Sequence, residues 1–168
     1  MGFTLYALPM RLPNQPRIAQ IIPPLLHHLA ATAYAAPAQW NGWQLTPIAG
    51  GANNLIYRAQ QDRHDFAVKF TIRDKRRRAW REYNALFAMQ HAGLVLAPRP
   101  LWLDESSYPQ PVVVQSWLSG APLPSPPTAP ADWHRLIAHY AQIHTLTQEQ
   151  CSLPLPEATI VITNGRHG

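Results

Sequence analysis

Alternating and continuous apolar runs in the middle of the chain predict an antiparallel sheet. Residues 43–48 alternate apolar and polar positions at a period of two, which is typical of a half-buried strand. Residues 55–59 and 66–70 form two further strand-like runs, separated by a polar turn at 60–63. Small residues at 50–54 make a turn between the first two runs. The three runs therefore predict an antiparallel meander.

Two later segments show the spacing of amphipathic helices. Residues 74–91 carry an apolar stripe, with Asp74 as the expected N-cap and Gly93 just past the expected end. A second helix is expected from Asp132, with apolar side chains at helical spacing as far as residue 144. The chain therefore combines strands and helices rather than belonging to one class.

Two more strands are expected between these helices, at 101–103 and 112–118. The second is a continuous apolar run, which is typical of a strand buried on both faces. Residues 119–131 hold five prolines and predict a stiff linker. Five strands are thus expected, with one helix after the third strand.

The first 39 residues give a weaker pattern. Closely spaced prolines in residues 1–17 predict irregular structure. Residues 18–36 have helical character, but Pro23 and Pro24 predict that any helix is broken there. No window reaches the roughly 20 consecutive apolar residues that a membrane-spanning helix needs. The sequence therefore predicts no membrane partner.

Composition limits the class of protein. The chain has 168 residues, of which 46% are hydrophobic, and this is enough for one domain with a core. The single cysteine, Cys151, excludes an internal disulfide framework and a cysteine-rich zinc site. It also indicates a reducing compartment. Together with the lack of a targeting segment, this leads us to expect a cytoplasmic protein.

The positive charge is concentrated in one run. Six of the 14 basic residues lie between positions 73 and 81, in a chain of net charge +5. Such a run is typical of a surface that contacts phosphate backbones or acidic partners, but also of the solvated first turns of a helix. No aromatic stacking platform accompanies it, which disfavours nucleic acid as a partner. A basic binder of nucleic acid or of an acidic protein stays open as an alternative.

Two charged residues stand in apolar surroundings. Lys69, one of only two lysines, lies on an apolar strand, and Glu82 lies on an apolar helix stripe. An unpaired charge in such a place is costly, so each needs a partner. An ion pair between them accounts for both. In the alternative, Lys69 extends to solvent and Glu82 pairs with Arg78 or Arg81 on its own helix.

Four motifs, in their order and spacing, carry a resemblance to a known family. They are the turn Gly50-Gly51-Ala52-Asn53-Asn54 followed by Tyr57, the strand end Ala67-Val68-Lys69, the helical Arg81-Glu82-Tyr83, and the segment Val114-Gln115-Ser116-Trp117-Leu118-Ser119-Gly120. Through them, residues 40–147 resemble the aminoglycoside phosphotransferase and choline kinase-like family. Each motif is short, and their common order is what makes the resemblance specific.

The resemblance implies an α+β fold. The expected parts are a kinase-like N-lobe, made of a five-stranded antiparallel sheet plus one helix, then a hinge and the first helix of a truncated C-lobe. Residues 1–39 are then an irregular or helical extension, and 40–118 form the N-lobe. Residues 119–131 are a proline-rich hinge and linker, and 132–168 begin the C-lobe.

The resemblance also implies how ATP is held. A loop of small residues lets backbone N–H groups approach the phosphates. Lys69, held by Glu82, binds the α- and β-phosphates, and main-chain groups of the hinge meet the adenine edge. Val68 and Val114 help to wall the pocket. The expected ATP-binding residues are Gly50, Gly51, Ala52, Asn53, Asn54, Val68, Lys69, Glu82, Gln115, Ser116 and Trp117.

The catalytic residues of the family have no counterpart in this sequence. Phosphoryl transfer needs a carboxylate that positions the acceptor and side chains that hold magnesium. The family supplies them from a His-Gly-Asp-x-x-x-x-Asn loop and a later aspartate, beyond the helix at 132–146. After Thr147 the acids are Glu149 and Glu157, and no aspartate occurs. We therefore expect no catalytic residue and no magnesium ligand in this chain.

The sequence thus predicts the N-terminal, ATP-binding part of a small-molecule phosphotransferase. The complete enzyme would use ATP with magnesium and a small acceptor that bears a hydroxyl group. The part seen here is expected to be inactive alone. A nucleotide-binding pseudo-enzyme module is the alternative within the same fold, and the basic binder is the alternative outside it.

Overall fold

A seven-stranded antiparallel sheet organises the molecule. The structure is a computed structural model that describes residues 10–11, 16–32, 38–49, 54–121, 125–147 and 149. The strands are β1 (Met10–Arg11), β2 (Ala38–Trp40), β3 (Trp43–Ile48), β4 (Asn54–Gln61), β5 (His64–Thr71), β6 (Pro100–Asp104) and β7 (Val112–Ser116). The helices are α1 (Pro16–Ala31), α2 (Arg78–His91) and α3 (Pro130–Ile143). Across the sheet the strand order is β1-β6-β7-β5-β4-β3-β2.

The five strands expected from the sequence are all present, and two more join them. β3 has the expected bounds, and β4 and β5 extend the expected runs into a hairpin closed by a turn at Asp62 and Arg63. Asp62 takes a φ of 47°, which suits such a turn. The prediction of five strands was therefore too low. β1 and β2 come from the first 40 residues and pair with β6 and β3 at the two ends of the described sheet.

α1 is one continuous helix, so the prediction that Pro23 and Pro24 break it was wrong. Its apolar stripe explains why it persists. Four of its side chains are at most 2% exposed and pack against the sheet, namely Ile22, Leu25, Leu26 and Leu29. Burying four such side chains contributes roughly 6–12 kcal/mol. The two interior prolines cost roughly 3 kcal/mol each, about 6 kcal/mol together, which this burial offsets.

The two faces of the sheet are covered differently. One face packs against α1 and forms the larger core, which includes Trp43, Tyr57 and Phe70. The other face packs against α2 where β5, β7 and β6 lie side by side, and its core includes Tyr83 and Val113. Because α2 covers only that part, side chains such as Ile56 and Arg58 stay partly exposed on the second face.

α2 begins later than expected and ends where expected. Its N-cap is Arg77, in the left-handed conformation with φ 47°, so the prediction that Asp74 caps the helix was wrong. Asp74 instead accepts hydrogen bonds from the Arg76 N–H and from Arg78 Nε, at 2.9 and 3.1 Å, and so shapes the turn before the helix. The expected stop at Gly93, which has a φ of 75°, is confirmed.

α3 follows the proline-rich segment and has no buried residue. It begins at Pro130 with Ala129 as N-cap, so Asp132 lies in the first turn rather than at the cap. Its apolar side chains face outward, and Ile137 and Tyr140 are 61% and 56% exposed. None of the three described helices combines the length and the apolar character that crossing a bilayer requires.

Candidate functional site

Strand alternation places Lys69 on the face that α2 only partly covers. Directly opposite residues in neighbouring strands share a face, and Lys69 lies opposite Ile56 in β4 and Val113 in β7. Two residues earlier in β5, Ala67 lies opposite Arg58 and Gln115. These side chains form one continuous surface, which we call the Lys69 face.

The expected ion pair between Lys69 and Glu82 is confirmed. Lys69 Nζ donates to Glu82 Oε2 at 2.8 Å, and the two side chains are 23% and 26% exposed. Glu82 lies one turn into α2, and its neighbour Tyr83 anchors the helix in the apolar cluster with Val113. The pair therefore fixes an ammonium group at a largely buried position among apolar neighbours in β5.

Burial around this cluster changes the pKa of Tyr83. Its side chain stacks on Phe87 with ring centroids 6.2 Å apart. Loss of solvent raises the pKa of its phenol from an ordinary 10.0 to about 12. The phenol therefore stays neutral across the physiological range and acts as a packing group behind the ion pair.

Two amide oxygens on the same face are buried without a partner. Asn54 lies opposite Thr71, and Gln115 lies opposite Ala67. The Oδ1 atom of Asn54 and the Oε1 atom of Gln115 have no hydrogen-bond partner in the described part of the chain. Buried acceptors of this kind are costly unless something donates to them. Of the predicted phosphate loop only Asn54 is described, because Gly50, Gly51, Ala52 and Asn53 lie outside the described residues.

The expectation that Val68 and Val114 wall the same site was wrong. These residues lie opposite each other in β5 and β7, both are fully buried, and both belong to the core beneath α1. Val68 follows directly before Lys69, and successive side chains of a strand point to opposite faces. The apolar side chains that adjoin Lys69 on its own face are Ile56 in β4 and Val113 in β7.

Two main-chain N–H groups of the predicted hinge already have hydrogen-bond partners. The Ser116 N–H donates to the carbonyl oxygen of Arg99 and the Trp117 N–H to that of Asp65, both at 2.9 Å. The Ser116 hydroxyl oxygen accepts from the Arg99 N–H, also at 2.9 Å. A ligand at the hinge must therefore use main-chain groups other than these two donors.

A second charged cluster on the Lys69 face was missed by the sequence reasoning. Arg58 donates to both carboxylate oxygens of Asp65, at 3.0 and 2.7 Å, and its guanidinium carbon lies 4.6 Å from the ring centre of Trp117. The hydrogen bond to Asp65 raises the pKa of Arg58 above its ordinary value. The sequence did contain one indication of this cluster, because a basic and an acidic residue lie on the two sides of the predicted turn.

Three side chains of the basic run make contacts that hold the protein together. Arg73 donates to the carbonyl oxygens of Pro109, Glu105 and Tyr108, at 3.1, 2.6 and 2.7 Å. Arg77 pairs with Glu105 at 2.6 Å, and Arg78 with Asp74 at 3.1 Å. Residues 73–77 precede α2, so most of the run builds the connection into the helix and does not form its solvated first turns.

No ready metal site is found among the described residues, and the apolar cavity beside the sheet does not include Lys69. No group of three or more potential metal-binding side chains occurs among them. An apolar cavity of about 250 Å³ lies on the α1 side, lined by residues such as Leu29, Leu55 and Phe70. It contains none of the predicted ATP-binding residues, and Phe70 faces away from its neighbour Lys69.

Comparison with known proteins agrees with this architecture. A crystal structure of a protein from Ralstonia eutropha JMP134, provisionally named as an aminoglycoside phosphotransferase, superimposes with a TM-score of 0.53 at 16% sequence identity. The match covers 77% of this chain and 39% of that chain, so the chain spans well under half of that protein. At this identity the likeness shows a shared fold, the α+β arrangement of a kinase-like N-lobe.

The sequence itself matches a family. Among curated proteins no sequence matches the chain. The sequence profile of the phosphotransferase enzyme family matches residues 44–160, which is more than half of the chain. That range runs from β3 to beyond α3 and includes both members of the Lys69–Glu82 pair. The chain belongs to the phosphotransferase enzyme family.

Proposed function

We propose that this chain provides the ATP-binding lobe of a small-molecule phosphotransferase. The complete enzyme would transfer the γ-phosphate of ATP to a hydroxyl group of a small acceptor. The observation that carries the proposal is the Lys69–Glu82 ion pair, with 2.8 Å between its charged atoms, on the partly open face of the sheet.

The chemistry of this pair suits polyphosphate. A carboxylate holds the ammonium in place, and two further N–H bonds of the ammonium are available for other acceptors. A half-buried ammonium binds phosphate oxygens more strongly than a fully solvated one, because less water competes. Glu82 keeps the ammonium group of Lys69 oriented in the absence of ligand. In this proposal Lys69 meets the α- and β-phosphates.

The base would lie further along the same face, toward the hinge. In that direction the next residue of β5 on this face is the apolar Ala67, and the buried oxygen of Gln115 opposite it has no hydrogen-bond partner among the described residues. Adenine carries an amino group and ring nitrogens along one edge, which suits main-chain carbonyl and N–H groups. Since Ser116 and Trp117 already use their N–H groups, the next donor along the chain is that of Leu118.

Transfer requires groups that this sequence does not supply in recognisable form. A magnesium ion would neutralise the developing charge, and a carboxylate would orient the acceptor. After Asp132 the sequence contains no aspartate. We therefore propose that the 168-residue chain binds ATP without transferring phosphate, and that cytoplasmic ATP is its ligand.

Binding of a fluorescent ATP analogue tests the proposal. The two lysines provide a matched pair, because Lys69 lies in the ion pair and Lys75 is exposed before α2. We expect Lys69→Ala to weaken binding roughly tenfold or more, the scale of a charge-assisted contact, and Lys75→Ala to change it little. Equal effects of the two substitutions, or no binding by the unmodified chain, would contradict the proposal.

A phosphate-release assay separates binding from transfer. The chain is incubated with γ-labelled ATP, magnesium and a mixture of amino sugars, sugars and amino alcohols. We expect neither labelled acceptor nor released phosphate above the level of buffer alone. Phosphate transfer that Lys69→Ala abolishes would show that the chain carries a complete active site, against this part of the proposal.

A further inference from the structure

Arg58, Asp65 and Trp117 form a compact cluster at the hinge end of the Lys69 face, which we call the hinge latch. Arg58 binds Asp65 through two hydrogen bonds, at 3.0 and 2.7 Å. The same guanidinium lies 4.6 Å from the ring centre of Trp117. Arg58 therefore contacts the hairpin and the hinge at once.

The main chain reinforces this contact. The Trp117 N–H donates to the carbonyl oxygen of Asp65 at 2.9 Å. Trp117 is thus held to the β4–β5 hairpin through its backbone and through its ring, and Asp65 takes part in both connections. Because β7 ends at Ser116, Trp117 is the first residue of the segment that leaves the sheet. The latch fixes the point at which the hinge departs.

The latch lies beside the proposed nucleotide wall. Arg58 lies opposite Ala67, which in turn lies opposite Gln115. Ala67 precedes Lys69 by two positions in β5, so the latch lies roughly 7 Å along the strand from the phosphate-binding lysine. The Lys69 face therefore has one paired cation at its phosphate end and another at its hinge end.

We propose that Arg58 is a positioning residue that holds the hinge in register for recognition of the nucleotide base. This inference rests on the proposed ATP-binding function. Arg58 acts through Trp117: the stacked ring and the Asp65 carbonyl set the position of the main chain that meets the base edge. Loss of the latch leaves Lys69 and Glu82 in place but lets the hinge segment move relative to the sheet.

A matched control exists in the same chain. Arg77 also makes two hydrogen bonds to one carboxylate, that of Glu105, at 3.1 and 2.6 Å. Its guanidinium carbon also lies 4.6 Å from an indole ring centre, that of Trp80. The two clusters share their chemistry, but the Arg77 cluster lies at the start of α2, away from the hinge. Arg77→Met therefore measures how the loss of such a cluster affects nucleotide binding when the hinge end of the Lys69 face is unchanged.

The test compares ATP with GTP as two probes. The two nucleotides share their phosphates and ribose but present opposite donor and acceptor groups at the base edge. We measure the dissociation constants of both for the unmodified chain, Arg58→Met, Arg77→Met and Lys69→Ala. Arg58→Met should weaken ATP binding roughly tenfold, the scale of one stacked and paired guanidinium, and should move the ratio of the two constants toward one. Lys69→Ala should weaken the binding of both nucleotides equally, and Arg77→Met should leave both dissociation constants unchanged.

The outcomes separate this inference from the proposed function. If the unmodified chain binds neither nucleotide, both the proposed function and this inference are overturned. If it binds ATP but does not distinguish it from GTP, or if Arg58→Met leaves the ratio unchanged, only the inference is overturned. Should Arg58→Met unfold where Arg77→Met does not, Trp117→Leu removes the stacked ring while keeping the Arg58–Asp65 pair. It is expected to shift the ratio in the same direction, and an unchanged ratio overturns the inference.

Discussion

Lys69 and Glu82 form an ion pair between β5 and α2, with 2.8 Å between Nζ and Oε2. The pair connects a strand in the middle of the sheet to the helix that covers part of one face. Its side chains are about three-quarters buried, so it is screened less than a surface pair. It therefore contributes to the attachment of α2 as well as to the proposed site.

A double-mutant cycle on this pair should reveal a coupling of about 1 kcal/mol in the free energy of unfolding. The variants are Lys69→Met, Glu82→Gln and their combination, measured by urea denaturation. The Asp132–Arg135 pair on α3 is the control, because its side chains are 48% and 81% exposed. Its coupling should be close to zero. A coupling for Lys69–Glu82 no larger than that of the control would mean that the pair does not help to hold α2.

Tyr83 should make the protein sensitive to alkali. Burial raises the pKa of its phenol from 10.0 to about 12, so the folded state keeps the proton that the unfolded state loses above pH 10. The contribution to stability is complete below pH 10 and is lost as the pH rises toward 12, by about 2–3 kcal/mol.

Tyr83→Phe removes this titration. The difference in unfolding free energy between the variant and the unmodified chain should be constant up to pH 10. Above that pH it should shift in favour of the variant, and urea denaturation from pH 8 to 12 measures it. If the unfolding free energies of the two proteins decline in parallel, groups other than Tyr83 cause the sensitivity to alkali.

Replacing Pro24 should stabilise α1. Pro24 is exposed within the helix, so Pro24→Ala loses little packing. It restores an N–H group that can bond to the carbonyl of Gln20, and it relieves the restriction on Pro23. We expect a gain of about 1–3 kcal/mol, part of the cost of an interior proline. Pro126→Ala, exposed and outside any helix, serves as the control and should change stability by about 0.5 kcal/mol or less.

Arg73 should matter for stability and its neighbour Arg76 should not. Arg73 donates to three carbonyl oxygens in the turn between β6 and β7, so Arg73→Ala removes three contacts at once. We expect a loss of about 1–2 kcal/mol, limited because the site is exposed. Arg76→Ala retains the backbone N–H that bonds to Asp74 and should be close to neutral. Thermal unfolding of the two variants is the measurement, and equal melting temperatures would refute the structural role of Arg73.

The sequence predicted the elements whose signal is local. Four elements show a repeated apolar pattern in the sequence, namely β3, β4, β5 and α2. Each lies within a few residues of its expected bounds. β1 and β2 have two and three residues, too few to show a period, and they exist because β6 and β3 offer them an edge. α1 shows the reverse case, in which buried side chains overrode a local rule about proline.

The residues of the candidate site likewise fall into those that the sequence pattern predicted and those that it did not. Lys69 and Glu82 were predictable as a pair because each is a charge within an apolar pattern. Val68 was assigned to the face of Lys69, although strand alternation alone places these two neighbours on different faces of the sheet. Arg58 and Asp65 looked like ordinary polar positions of a hairpin, and their link to Trp117 depends on the pairing of β5 with β7. Which charges meet across strands is decided by register, and the sequence pattern does not show register.

β1, α1 and β2 together enclose the rest of the described sheet, and we call these three elements the strap. β1 and β2, the outermost described strands, belong to one stretch of chain, and α1 crosses the core face between them. The strap closes both margins with strands too short to recruit another chain, and its helix seals the largest apolar surface. A proteolytic cut that releases this strap would therefore expose two free margins and a bare core together. Resistance to aggregation thus depends on a segment that carries none of the proposed nucleotide-binding residues.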